Sequence, residues 1–288
     1  MGLGLLAFSL YFCNQTRIEE RGRVGAVIVS PSLLLTFVLL LFLKVLYGPF
    51  IVLIFLSLII FVTIFIKQTG DKTIDEKIPL QKRDFSLYLS SWFIICLNNA
   101  VFLKITFRAL NLRFSELFNF AQMLRYLAAG FGALIGGSLS DRIGRKLVLE
   151  LNIMALGIGS TMVGLTMVDS AYVLVQLING FSWGNFLVIY YLILWGELGF
   201  KNTRGIYYSL GLSVFPFLIA VGYTILPLLD KMKLEAAIFI SSSLIFVANV
   251  PLVFTKETLP LRYKLTIDDI DEYIERVKRE LKKITGSV

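Results

Sequence analysis

Residues 136–149, GGSLSDRIGRKLVL, interrupt an otherwise apolar chain with Asp141, Arg142, Arg145 and Lys146 inside six positions, set among Gly137 and Gly144. Such a stretch has two uses at a membrane surface. Its cations hold a loop on the cytoplasmic side and meet lipid phosphates. Its lone carboxylate suits the start of a helix, where unsatisfied amides favour an anion. The glycines let two helices turn tightly.

A second set of polar residues stands inside apolar runs, where each is costly. Gln122 and Arg125 recur with Ala129, Gly132 and Gly136 at three- and four-residue steps and share one helix face. Arg125 lies too deep to snorkel to either interface, and a cation there suits an anionic solute or a paired carboxylate. Asn98 and Asn99 fall near the middle of another run, and Gln176, Asn179 and Trp183 share a face of a third. Amides and an indole would hydrogen-bond to and stack on a polar organic ligand; they serve equally as bonds between helices. Histidine is absent, and the two cysteines, Cys13 and Cys96, sit in apolar runs without pairing or ligand spacing. No metal or cofactor site and no nucleophile–base pair is visible, so enzymatic activity is not expected.

The elements that position these residues follow from composition. Hydrophobic residues make up 57% of the 288, against about 45–50% in a soluble domain. Apolar runs lie at about 26–43, 49–66, 86–107, 117–138, 147–168, 171–197, 206–229 and 235–255. Each is near the roughly 20 residues that cross a bilayer, and each must be helical to satisfy its own backbone. A shorter run at 1–13 adds a fragment to these eight spans.

Of the 28 Lys and Arg residues, 21 fall on one side of this threading and 6 on the other, with Arg125 inside a span. The positive-inside bias places the larger set, and the C-terminus, in the cytoplasm. The net charge of +8 therefore points to topology and not to nucleic acid. The predicted fold is all-α and integral to the cell membrane, multi-pass, with the lipid bilayer as its first partner. Residues 266–284 add an amphipathic cytoplasmic helix, with Thr266 as N-cap and one apolar stripe.

The chain also repeats itself. Arg21-Gly22 and Arg204-Gly205 lie 183 positions apart, each ahead of two apolar spans and a charged stretch, and the same offset carries Asn14 to Glu197. Duplicated helical halves are a common transporter architecture.

Residues 137–146, GSLSDRIGRK, resemble the loop signature of the major facilitator superfamily, G-x-L-x-D-R-x-G-R-K, at every defining position. Residues 197–205, ELGFKNTRG, are similar to that family's Glu-Leu and Arg-Gly signature after its tenth helix, and 256–260, KETLP, resemble a weaker one after its last helix. The resemblance implies major-facilitator-type bundles, in the full family twelve helices in two six-helix halves. On that frame 1–67 are the end of the first half, 68–85 the cytoplasmic linker, 86–256 the second half, and 257–288 the cytoplasmic tail. Three helices and part of a fourth are then expected upstream, encoded with a second copy of the signature loop.

Roles follow from the same resemblance. The loop's Asp latches one transport conformation by sitting at the start of a helix in the opposite half. This assigns a latch to Gly137, Asp141, Arg142, Gly144, Arg145 and Lys146, with Glu197, Arg204 and Arg21. Asp141 is expected at the helix beginning near Val24, and Arg145 beside Glu197. A small solute, with or without a coupling ion, would cross by rocking of the halves, along a pathway that includes Arg125, Gln122, Asn98, Asn99, Gln176, Asn179 and Trp183. The alternative is a non-transporting remnant or regulatory membrane subunit that pairs with another chain.

Overall fold

The computed structural model describes residues 2–43, 82–102, 115–166, 168–199, 203–229 and 232–259. The expected span 49–66, most of the linker 68–85 and the tail helix at 266–284 lie outside the described residues.

The described residues are helical, with no strand among them. They form α1 (Gly2–Gln15), a 3-10 turn (Ile18–Glu20), α2 (Arg21–Leu43), α3 (Lys82–Ala100), α4 (Ser115–Ile143) and α5 (Arg145–Thr166). α6 (Asp169–Phe186) continues through a π-helical segment (Leu187–Ile193) into α7 (Leu194–Leu198), followed by α8 (Arg204–Leu229) and α9 (Leu234–Val253). Among the described residues, five helical stretches are long and apolar enough to cross a membrane: Ile18–Leu41, Arg145–Thr166, Asp169–Leu198, Arg204–Pro227 and Leu234–Val253.

Three element boundaries differ from the sequence expectation, each for a physical reason. α2 starts at Arg21, not near Val24, because its first amides are satisfied by a side chain from a distant part of the chain, which leaves no local cap to recognise. The charged stretch after Gly137 is mostly not a loop: α4 runs through Ile143 and α5 starts at Arg145, so Gly144 alone makes the turn. Its φ of 109° is a conformation that glycine adopts without steric penalty. Gly144→Ala is expected to cost about 1–2 kcal/mol, seen as a lower midpoint of thermal unfolding in detergent. An unchanged midpoint would contradict that reading. The third difference is the π segment, inside which the run 171–197 was expected to be unbroken: the Leu194 amide donates to Ile189 O, five residues back.

Packing is led by small residues, as expected where lipid is as apolar as the partner helix. α4 lies along both α6 and α2, α9 bridges α5 and α3, and α8 lies beside α3. Gly132 sits against Phe181 O, Gly180 against Arg125 O and Gly184 against Ala129 O; a Cβ at any of them would overlap backbone. Thus the face shared by Ala129, Gly132 and Gly136 serves close contact between α4 and α6. Around α3 the core is aromatic. Trp92 stacks on Tyr190 at 4.5 Å and donates through Nε1 to Gly211 O at 3.0 Å.

Candidate functional site

The last turns of α4 bring Gly137, Ser140 and Asp141 to one edge, three and four residues apart, and Gly144 turns Arg145 back toward them. Gly22, at the start of α2, meets this edge without a side chain; a Cβ there would overlap Gly137 O and crowd Ser140 and Asp141. The close approach lets Asp141 accept two backbone hydrogen bonds, Oδ1 from Gly22 N at 2.8 Å and Oδ2 from Arg23 N at 2.8 Å. A carboxylate thus caps the positive end of α2 with charge-assisted bonds.

Arg145, fully buried, is the hub. Its Nη2 lies 2.9 Å from Asp141 Oδ1 and 3.3 Å from Glu197 Oε1 and donates to Ile18 O at 2.6 Å. Its Nη1 donates to Ser140 O at 2.9 Å. Arg21 completes the group: Nη1 is 3.6 Å from Glu197 Oε1 and Nη2 donates to Cys13 O at 3.0 Å. Two buried acids and two buried guanidiniums compensate one another, the condition under which ions tolerate loss of water. Burial raises the Asp141 carboxyl from its ordinary value, opposed by the Arg145 guanidinium and the two α2 amides. Arg23 Nε, 3.6 Å from Asp141 Oδ2, is largely exposed and adds little.

The other residues of the signature are distributed. Lys146 turns away from α2: its Nζ donates to Val253 O at 2.9 Å and Thr255 O at 3.0 Å, capping the end of α9. It also lies 3.7 Å from Glu150. Arg142 is exposed. Arg204 donates through Nε to Gly196 O at 3.1 Å and through Nη1 to Asn14 Oδ1 at 3.1 Å.

Sequence reasoning singled out KETLP after α9 but gave its residues no role. Glu257 Oε1 accepts from Arg145 N at 2.9 Å and Lys146 N at 3.4 Å, capping α5. Lys256 N donates to Asp84 Oδ1 at 3.1 Å, and Tyr88 donates to Lys256 O at 2.8 Å. Residues 254–259 therefore tie α3, α5 and α9 together. The acid in KETLP was visible; its target is backbone, which no residue type announces.

The polar residues within the helices do not form one cluster. Gln122, Asn99 and Arg125 are half-buried. The Arg125 guanidinium and the Tyr172 hydroxyl are near enough to interact electrostatically. Gln176 is fully buried and lies against Tyr172. Asn98 and Asn179 are buried, and each has an amide oxygen without a hydrogen-bond partner among the described residues. Trp183, half-buried, joins the aromatic group, with its ring centroid 6.1 Å from Trp92 and 5.6 Å from Phe215. An unexpected amide pair fastens α6 to α5: Asn185 Nδ2 donates to Asn152 Oδ1 at 3.0 Å.

These features define an all-α, multi-pass membrane protein whose helix ends are joined by a buried ion cluster. No family model and no curated protein matches the chain. Among solved structures it is similar to the human organic anion transporter MFSD10 (TETRAN), at 21% identity and a TM-score of 0.47, over 67% of this chain and 53% of that one. The match thus spans about half the length of that transporter.

Proposed function

We propose that the chain is a transporter of the major facilitator type, moving a small solute by alternating access. One observation carries this reading: the carboxylate of the signature loop is seated on the first amides of α2, at positions 119 and 118 residues away. Such a contact joins segments far apart in the sequence through a few polar bonds, which suits the bistable element alternating access needs. Asp141, Arg145, Glu197 and Arg21 hold the cytoplasmic end shut, and their separation opens it. Arg125, Gln122, Asn98, Asn99, Gln176, Asn179 and Trp183 are the residues along the solute pathway, a role supported by the two unpartnered amide oxygens and the half-buried indole. The chain lies in the cell membrane with its C-terminus in the cytoplasm. Its partners are the bilayer, the solute and, where transport is coupled, an ion; it carries out no bond-making chemistry.

Reconstitution of the purified chain in lipid vesicles tests this against the reading of a regulatory subunit. Saturable uptake of at least one member of a panel of small neutral and anionic solutes is expected. A disulfide formed after Arg23→Cys with Arg142→Cys should stop it, and a reductant should restore it. A folded, monodisperse protein that moves none of the panel would favour the subunit that pairs with another chain.

A further inference from the structure

The sequence repeat has a structural counterpart. Adding 183 to each residue number carries the end of α1, Gln15, to the end of α7, Leu198, and the start of α2, Arg21, to the start of α8, Arg204. Contacts are carried over as well. Arg21 donates to Cys13 O and Arg204 to Gly196 O, the equivalent carbonyl eight residues back. The remaining bonds cross between the copies: Arg21 reaches Glu197 at 3.6 Å, while Arg204 reaches Asn14, the equivalent of Glu197, at 3.1 Å.

The two crossings differ in kind. Arg21 and Glu197 are both charged and buried, and Arg145 joins them. Arg204 and Asn14 share one exposed hydrogen bond with a neutral acceptor. We propose that Asn14 sets the weak side of a two-sided closure, so that α8 parts from α1 before α2 parts from α7 and, through Arg145 and Asp141, from α4. A bond to a neutral amide is weaker than one to a carboxylate, and water at the exposed site competes for both partners. The inference rests on the opening and closing proposed above, but its readout is a distance and does not depend on whether a solute moves.

Spin labels at Gln15→Cys and Ile206→Cys, in purified full-length protein in lipid nanodiscs, report on the α1–α8 side. The pair Arg23→Cys and Arg142→Cys reports on the α2–α4 side. The two native cysteines are buried and compete little for label. The α1–α8 distances are expected to be the broader of the two sets. Asn14→Glu should raise their short-distance population about twofold to fivefold, the range of an exposed ion pair, and Asn14→Ala should lower it. Adding Arg204→Gln should abolish the gain from Asn14→Glu. Equal widths on the two sides would overturn the proposal, as would no response to Asn14→Ala or a gain that persists without Arg204. Should Asn14→Glu fail to insert, the Asn14→Ala result and the comparison of widths decide alone.

Discussion

Arg145→Met is expected to cost about 3–5 kcal/mol, because it leaves buried carboxylates without their principal cation. Asp141 and Glu197 would face each other's field with Arg21 as the nearest buried guanidinium, and Ile18 O and Ser140 O would lose their donor. Arg145→Lys should rescue little of this. A guanidinium spreads several donors over a plane, whereas an ammonium is a single compact charge, and here two nitrogens serve two carbonyls and two carboxylates. The check is thermal unfolding in detergent, followed by static light scattering, for both variants. A midpoint for Arg145→Met within a degree or two of the parent would show that the cluster does not hold the helix ends together.

The second large effect concerns conformation more than folding. Asp141→Asn keeps size and shape but removes the charge that two α2 amides bind. One oxygen remains to accept, and the new amino group then faces an N–H donor or Arg145, so one charge-assisted bond becomes a repulsion. Each bond to a charged group is worth about 1.5–3 kcal/mol. Loss of roughly 2 kcal/mol shifts a closed-to-open ratio about thirtyfold, given a factor of ten for each 1.4 kcal/mol. Disulfide formation between Arg23→Cys and Arg142→Cys should slow accordingly, with the variant still folded. Cross-linking at the parental rate would separate Asp141 from closure.

Much of this arrangement was legible because side-chain identity carried it. The four-residue spacing put Asp141 and Arg145 on one edge, and the resemblance of the two charged stretches to the family's signatures implied that Arg145 meets Glu197. Arg21 stood out as the repeat's counterpart of Arg204, and its place in the latch came from the resemblance. What was not legible depends on backbone groups and on direction. Ile18 O, Ser140 O and Cys13 O are acceptors that any residue could supply. Lys146 stands next to Arg145 in the same signature, yet one position along the helix turns its single ammonium toward the end of α9. In the same way α2 concealed its start, since its cap lies on α4. Periodicity placed Gln176 and Asn179 on one helix face correctly in phase, but which neighbours that face meets is a matter of assembly.

The π segment between α6 and α7 works as an angular offset. In a regular helix each residue advances about 100° around the axis, and an extra residue taken up in one wider turn sets everything beyond it back by about that amount. A wheel drawn from Trp183 to Glu197 as one uniform helix therefore misplaces the far end by more than a quarter turn. Above Leu187–Ile193 the rod presents Trp183 and Phe186 to the aromatic rings of α3; below it, Glu197 meets Arg145 and Arg21. One continuous rod thus addresses two different neighbours, and the phase between its upper and lower contacts is fixed by a single irregular turn.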